Sequence, residues 1–413
     1  MKRAHLEATE ESDVSKMESE RIVVCSTQTV KSGWARGLLS VALCFFFAFR
    51  FYSLGQLIYL LFAAGLLAVA LLISFNLLSG RIQNLLCSLG ISLFFGDLVF
   101  YQIDFGSMLN AIRNMNYLFL LLSTLLILLS FWARAYRWRW FFPMRKSMPL
   151  LSLFSALSIG IAANSLLPAR VGEFVRAYVL GRHERLSKTT AFATIVLERV
   201  FDGLTILLFL LLVVVLIGLQ SPELHYMALA GGVFYAGAIV VLLLIYFQER
   251  WLERLIDRVC PISLRESATG LLRAFAAGLE SIRSVRQLAV ISVLSLVCWT
   301  IIAGSFWPVL VAFDFGVPVP YYTPFLLVAT LGLSLMIPAA PAGVGVFQWG
   351  CMLTLQLVFA PHVASLGADF GAQVGAFSLV LHISQVVPEV VLGLVCFLYE
   401  GLNWHEVKAG LET

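Results

Sequence analysis

The feature that most constrains this chain is a series of long apolar runs separated by short polar segments. A bilayer core about 30 Å thick needs roughly 20 apolar residues per spanning helix, and several runs reach that length. The 413 residues are 60% hydrophobic and 13% charged, whereas a soluble domain has roughly 25% charged residues. A globule of this size cannot hide so much apolar surface. The sequence therefore predicts a multi-spanning membrane protein and excludes an ordinary soluble enzyme.

Simple sequence features exclude other classes of protein. The net charge is only +4 and no basic cluster stands in a soluble segment, so no nucleic-acid partner is expected. The seven cysteines include no CxxC pair, which argues against a disulfide scaffold. The apolar runs are continuous rather than alternating, unlike the strands of a transmembrane β-barrel. Motifs for nucleotide, metal or nucleophilic chemistry do not occur, and we expect no cofactor, no metal and no enzymatic activity.

The distribution of lysine and arginine predicts the topology, because basic loops belong in the cytoplasm. Five such residues lie in 134–149, five in 169–189 and seven in 248–286, but none in 219–226, 314–322 or 360–369. The first two segments therefore lie on the same side of the membrane. The apolar run between them must enter and return, as a re-entrant hairpin from the cytoplasm. By the same argument the run at 325–359 must enter and return from outside.

The predicted fold is an all-α polytopic membrane protein with about eight transmembrane helices, two re-entrant helical hairpins and both termini cytoplasmic, in the cytoplasmic (inner) membrane. The expected spans are 38–52, 57–78, 85–103, 117–133, 191–219, 227–247, 288–313 and 371–398. The expected domains are a polar tail (1–36), an additional N-terminal transmembrane hairpin (37–80), a main transmembrane domain (81–402) with an amphipathic cytoplasmic segment (249–286), and a short C-terminal tail (403–413).

An internal repeat links the two predicted hairpins. The heptad Pro-Ala-Arg-Val-Gly-Glu-Phe at 168–174 matches Pro-Ala-Gly-Val-Gly-Val-Phe at 341–347 in five of seven positions. The charge-based topology makes the two copies inverted, as in many secondary transporters. Non-helical backbone at membrane depth is tolerated only inside protein or beside a wet cavity. We therefore expect turns at Pro168, Gly172, Pro341, Gly343 and Gly345 that border a polar cavity.

Charged residues in and after the first break are the main candidates for a binding site, because charges at membrane depth are costly and rare. They are Arg170, Glu173 and Arg176, followed in the next span by Glu198, Arg199 and Asp202. One interpretation is internal neutralisation, Arg170 with Glu198 or Asp202 and Glu173 with Arg176 or Arg199. The other is phosphate binding, which suits the bidentate fork of guanidinium. Both interpretations remain open at this stage.

Two further groups of residues receive weaker assignments. Trp132, Trp138 and Trp140 alternate with Arg134, Arg137 and Arg139 at the end of a span. We interpret this group as an interfacial anchor without chemistry. His382, Gln385 and Glu389 lie in the last span, where Glu389 faces either the second break or the cytoplasmic interface.

The order of these motifs resembles the lysylphosphatidylglycerol synthase transmembrane-region family, also called flippase-like domain proteins. The resemblance rests on the segments 135–140, 164–176 and 198–202, with 338–347 similar to the second family signature. It covers roughly residues 85–400. The resemblance implies a membrane domain that moves lipids between leaflets, with membrane lipids as partners. It adds Asn164, which begins the second quoted segment, to the candidate substrate-binding residues.

The sequence also departs from the family pattern. Only about 15 residues follow the last span, so we expect no soluble aminoacyl-transferase domain. The family often has a carboxylate after the second Gly-rich turn, where this chain has Gln348. Two functions remain open. The protein is either a flippase or transporter of a phosphate-bearing lipid, which can be a phospholipid or a polyprenyl-linked lipid, or a non-transporting partner of a separate lipid- or sugar-transferring enzyme. An integral-membrane transferase is disfavoured, because no acid–base pair with a nucleotide site is visible.

The predicted topology can be tested by cysteine labelling with a membrane-impermeant reagent in cells. Single cysteines at 220–225, 316–320 and 363–368 should react from outside, and those at 141–148 and 260–270 only after the membrane is opened. Labelling of 141–148 from outside would contradict the first re-entrant hairpin and, with it, the inverted repeat.

Overall fold

The computed structural model of the chain describes residues 35–75, 77–101, 103–142, 148–167, 171–184, 186–217, 248–259, 284–313, 315–367 and 369–403, with isolated residues between 226 and 272 and Val407. Every regular element in these residues is a helix. The helices α1 to α13 are Ala35–Leu54, Leu57–Ser74, Gly80–Phe100, Phe105–Asn114, Leu118–Arg139, Leu150–Leu166, Gly172–Glu184, Lys188–Ile217, Glu249–Val259, Val285–Ala312, Thr323–Ser334, Val346–Phe359 and Phe370–Tyr399.

Eight helical segments of the described chain are long and apolar enough to cross a membrane. They are Ala35–Leu54, Leu57–Ser74, Ile82–Phe100, Leu118–Arg139, Lys188–Leu216, Val285–Ala312, Pro341–His362 and Phe370–Tyr399. Seven of them overlap expected spans, which confirms the all-α polytopic fold. The expected span at 227–247 lies mainly outside the described residues. The eighth segment contains α12, which the sequence places in the second re-entrant hairpin.

The chain divides into two compact units between Phe94 and Phe95. In the first unit, α1, α2 and the first part of α3 pack through Leu43 and Leu66, which both approach Gly90. The second unit holds the helices from α4 onward and the end of α3. The domain boundary at residue 80 and the tail assignments stay predictions.

The second unit has two apolar cores. One is built from α5, α6, α7, the first parts of α8 and α10, and the end of α13. The other is built from the later part of α8, the later part of α10, α11, α12 and the first part of α13. Helices α8, α10 and α13 have 28 to 30 residues, so each is about 42–45 Å long and contributes to both cores.

Each apolar core contains a pair of short helices at one copy of the repeated heptad. In the first core α6 packs against α7, which begins at Gly172. In the second core α11 packs against α12, which begins directly after Gly345. Gly343 and Gly345 have φ of 72° and 85°, a region that residues with a Cβ rarely occupy. The heptads thus mark corresponding places, while re-entry and inversion of the two pairs remain predictions.

Helices α6 and α7 meet backbone to backbone. A Cβ on Gly172 would collide with the carbonyl oxygen of Gly160 and would lie 2.6 Å from Asn164 Oδ1. A Cβ on Gly160 would lie 2.8 Å from the carbonyl oxygen of Gly172. Backbone atoms cannot move aside as flexible side chains do, so both positions require glycine.

We predict that Gly172→Ala destabilises the protein by about 1–3 kcal/mol, the usual range for overpacking. The matched control is Gly304→Ala in the interior of α10, where the added Cβ meets no atom within 4 Å and where alanine favours the helix. Melting temperatures of the purified proteins in detergent measure the difference. A Gly172→Ala protein that melts with the wild type would contradict the close contact.

Candidate functional site

The centre of the site is Arg137, in the last turns of α5, whose side chain is only 1% exposed. Its Nη1 donates to Asp202 Oδ1 at 2.6 Å and to Ser295 Oγ at 3.0 Å. Its Nη2 donates to Glu198 Oε1 at 3.0 Å. One guanidinium therefore joins α5 to two turns of α8 and to α10.

A second buried arginine, Arg176 of α7, binds the other oxygen of the same glutamate. Its Nη2 donates to Glu198 Oε2 at 2.6 Å. Its guanidinium carbon lies 3.6 Å from the ring centroid of Trp138, a cation–π contact. The Trp138 indole donates to Thr194 Oγ1 at 3.0 Å, which fixes the ring.

The third arginine, Arg199, is the loosely held member of the cluster. It lies 3.2 Å from Glu198 Oε1 and 3.3 Å from Asp202 Oδ2. Its side chain is 47% exposed, whereas the two carboxylates are 0% and 8% exposed. Arg199 is therefore the member that an incoming ligand can reach.

The cluster of Arg137, Arg176, Glu198, Arg199 and Asp202 has an excess of positive charge. Three guanidinium groups face two carboxylates, a formal charge of +1. The Nε atoms of Arg137 and Arg176 are buried and have no hydrogen-bond partner among the described residues. Buried donors normally have an acceptor. Both observations favour an anion with several acceptor oxygens.

The structure brings together four of the predicted site residues, but with different pairing. Glu198, Arg199 and Asp202 lie in one ion-paired cluster with Arg176. Arg176 pairs with Glu198 rather than with Glu173. Glu173 lies in the first turn of α7, half-buried and within electrostatic range of Arg199.

The remaining predicted residues of the first signature lie outside the ionic cluster. Asn164 Oδ1 accepts the backbone N–H of Gly172 at 2.8 Å and so caps α7. Arg170 and Pro168 lie outside the described residues. Binding of substrate by any of these residues stays a prediction.

The assignment of Arg137 and Trp138 to an interfacial anchor is wrong, because both side chains are buried; Arg137 belongs to the ionic cluster and Trp138 packs on Arg176. Trp132 is 46% exposed and stacks on Phe154, so only part of that group faces outward. A signal for Arg137 was present in the sequence. It follows Ser123 and Ser130 at intervals of seven residues, and such positions share one face of a helix. Both serines are fully buried.

The equivalent turn before α12 carries an uncharged network. Gln348 Oε1 accepts the Gly345 N–H at 2.7 Å, and its amide nitrogen lies 2.9 Å from His382 Nδ1. His382 Nε2 lies 3.0 Å from the carbonyl oxygen of Ala342, and its ring stacks on Phe347. Since the amide nitrogen donates, Nδ1 accepts and Nε2 carries the proton. His382 thus faces the second break, whereas Glu389 accepts from Ser165 at the end of α6.

The helices and the cluster define a multi-pass helical membrane protein with a buried ionic site. The family model described as "Lysylphosphatidylglycerol synthase TM region" matches residues 85–393. The chain belongs to this family, as the signatures around Glu198 and Pro341 indicate.

Comparison with curated proteins gives two relatives. The chain is 26% identical over 227 residues to the "Glycosyltransferase AglD" of Haloferax volcanii, which is 48% of this chain and 36% of that protein. It is 46% identical over 52 residues to a "UPF0104 membrane protein" of Methanothermobacter thermautotrophicus, 12% and 15% of the two chains. The matched regions therefore span about a third and about a seventh of these relatives. No solved structure matches the chain.

We predict that Arg137→Met reduces the amount of folded protein, because it leaves two buried carboxylates with fewer cations. Loss of one partner of a buried ion pair costs about 3–5 kcal/mol. The control is Arg258→Met on the exposed side of α9. The double variant Arg137→Met/Asp202→Asn removes one charge of each sign and should recover part of the yield. Equal yields for Arg137→Met and wild type in membranes would contradict the role of Arg137.

Proposed function

We propose that the protein is a lipid flippase or transporter that moves a phosphate-bearing lipid between leaflets, without enzymatic activity of its own. The observation that carries this proposal is the ionic cluster, in which three arginines face two carboxylates and two buried Nε–H donors have no acceptor among the described residues. A lipid phosphate supplies the missing negative charge and acceptor oxygens.

Arg199 makes the first contact with the phosphate. Its ion pairs are the longest of the cluster, and it is exposed. Arg137 and Arg176 offer their Nε–H groups as the phosphate approaches, and Arg137 remains bound to Glu198 and Asp202. Guanidinium suits this exchange, because its planar fork can bind a carboxylate and a phosphate oxygen at once.

The cluster also gives the lipid a way to move the first helix pair. Arg176 is the contact of α7 with Glu198, and Asn164 of α6 caps α7. Phosphate binding competes with Glu198 for Arg176 and Arg199. The ion pair that joins α7 to α8 is therefore weakened. Movement of the pair relative to α8 then gives alternating access, and Glu173 borders the path.

A second candidate function is that of a membrane partner for a separate lipid- or sugar-transferring enzyme. It is favoured by the similarity to a protein named a glycosyltransferase, 36% of which is matched. In this function the cluster holds the lipid for the enzyme and does not move it across the bilayer.

We predict that Arg199→Gln lowers lipid movement about tenfold or more, since a hydrogen bond to a charged group contributes about 1.5–3 kcal/mol. Arg199→Lys should keep only part of the rate, because ammonium lacks the fork. Both variants should fold, since Arg137 and Arg176 still pair with the carboxylates. The measurement uses liposomes with a fluorescent phosphate lipid, and Arg258→Gln is the control.

The same assay separates the two functions. Lipid movement by the wild type that is lost in Arg199→Gln supports the flippase. Absence of movement, together with co-purification of a transferase, supports the membrane partner. Unchanged movement in Arg199→Gln would remove the cluster from the transport path.

A further inference from the structure

A carboxylate outside the ionic cluster lies well inside α13. Glu389 directly follows Pro388, in the interior of the helix, and is about 15 Å from the helix end at Tyr399. Its side chain is half-buried. Charged side chains at such depth in a membrane are costly and usually mark an ion or proton pathway. The ionic cluster does not use Glu389, so another role must explain this carboxylate.

Glu389 contacts a hydroxyl group rather than a cation. Its Oε2 accepts from Ser165 Oγ at 3.5 Å, in the last turn of α6. Among the described residues it forms no ion pair, whereas Glu198 and Asp202 each pair with at least two arginines. A carboxylate that is removed from water without a cation is stabilised by binding a proton. The surroundings of Glu389 therefore suit a group that takes up and releases a proton.

The contact between α6 and α13 holds this carboxylate against the first helix pair. A Cβ on Gly393, one turn after Glu389, would collide with Ala162. The same Cβ would lie 2.6 Å from the carbonyl oxygen of Ser158. Ser165 continues this face of α6, because positions three and four residues apart are neighbours on a helix. A neutral carboxyl group suits so close a contact, whereas an ionised one needs a cation.

Arg134 of α5 is the cation that faces Glu389. It lies within electrostatic range of Glu389 and of Asp202. Its guanidinium carbon lies 5.7 Å from the ring centroid of Trp299, whose indole donates to Asp202 Oδ1 at 2.8 Å. Arg134 therefore stands between the ionic cluster and Glu389, and each carboxylate competes for its charge.

The other helices packed against α13 bring no further charge to Glu389 in the described part of the chain. Helices α6 and α12 contain no charged residue. Helix α4 contains Arg113 and α10 contains Arg286, and neither lies within electrostatic range of Glu389. On α13 itself His382 lies two turns earlier and is bound to the second break. The charge state of Glu389 is therefore felt mainly by Arg134.

Proton binding at Glu389 and phosphate binding at the cluster favour each other. An ionised Glu389 attracts Arg134, whereas a protonated Glu389 leaves the positive field of Arg134 to Asp202 and to an anion bound beside it. Conversely, an anion at the cluster draws Arg134 away from Glu389 and so favours the protonated carboxyl group. A linkage of this kind is reciprocal by thermodynamic necessity.

We propose that Glu389 is a proton-binding site and that one proton and the lipid phosphate are bound and moved together. A proton from water adds to the carboxylate and gives a neutral carboxyl group, and it is released again after the first helix pair has moved. A metal ion in place of the proton requires several oxygen ligands, and the described residues offer only the Ser165 hydroxyl beside the carboxylate. The movement rests on the proposed function, whereas proton binding by Glu389 does not.

Proton binding is tested by infrared titration of the full-length protein in nanodiscs. A protonated carboxyl group has a carbonyl stretch that a carboxylate lacks. The wild type should show such a band that changes with pH and is absent in Glu389→Gln, which has the shape of the protonated state. The control is Asp369→Asn, since Asp369 is exposed at the N-cap of the same helix and makes no capping hydrogen bond.

Two results overturn the proton site. One is a spectrum that Glu389→Gln leaves unchanged. The other is a clear loss of melting temperature in Glu389→Gln but not in Asp369→Asn, because the neutral glutamine then breaks an ion pair. Melting temperatures equal to that of the wild type, with loss of the band, support the site.

The linkage is tested in the same nanodiscs with a short-chain phosphatidic acid as the probe and a short-chain diacylglycerol as its uncharged counterpart. The phosphatidic acid should move the midpoint of the Glu389 band to higher pH by about one unit, a tenfold coupling within the usual range of about 5- to 150-fold. Arg134→Gln should keep the band and lose this shift, and Arg139→Gln, exposed at the end of the same helix, should keep both. An equal midpoint with both probes overturns the coupling.

Co-movement is tested in liposomes with the membrane potential clamped at zero. A gradient of one pH unit should drive fluorescent phosphatidylglycerol towards the leaflet on the alkaline side, to a ratio of up to about tenfold for one proton per lipid. Glu389→Gln should leave the ratio near one, and Asp369→Asn should behave as the wild type. Lipid movement that ignores the gradient overturns co-movement. Absence of any movement by the wild type contradicts the proposed function instead, and the infrared titrations still decide on the proton and its coupling.

Discussion

The ion pairs of the Glu198 carboxylate are the interactions on which much of the second unit depends. This carboxylate is fully buried and receives three arginines, from α5, α7 and its own helix α8. Desolvating a carboxylate costs several kcal/mol unless cations and hydrogen bonds offset it. These helices must therefore stay in register near Glu198. The apolar contacts of the same core are less demanding, because dispersion and burial have little direction.

The two helix pairs share a heptad but not a chemistry. At the first, α7 presents Arg176 to an ionic cluster. At the second, α12 presents Gln348 to a neutral histidine and the backbone of Ala342. The first pair thus meets a cluster of ion pairs, and the second meets an uncharged hydrogen-bond network. Sequence symmetry at the turns coexists with chemical asymmetry.

The sequence predicts the helical membrane fold because long apolar runs leave few alternatives, and the family follows from the order of the motifs. It also groups Glu198, Arg199 and Asp202, because they lie on neighbouring positions of one helix. It does not predict that Arg176 pairs with Glu198 instead of the nearby Glu173, because this pairing depends on how α7 packs on α8. Arg137 was missed because its aromatic neighbours look like an interfacial belt. Whether a short apolar helix crosses the membrane or re-enters depends on where the membrane lies along the helix. Helix length alone does not define that position.

The contact between Gly160 and Gly172 has a consequence for how this chain can diverge. Where two backbones touch, every substitution adds atoms where none fit, so these two positions have essentially one permitted residue. Outward positions on the same two helices, such as Leu151 and Phe174, are each 52% exposed and accept many apolar side chains. Homologous sequences should therefore drift freely on the outside of this helix pair while its inner seam stays constant. The seam at Gly160 and Gly172 therefore limits variation on the inside of the pair, while its outward face leaves room for change.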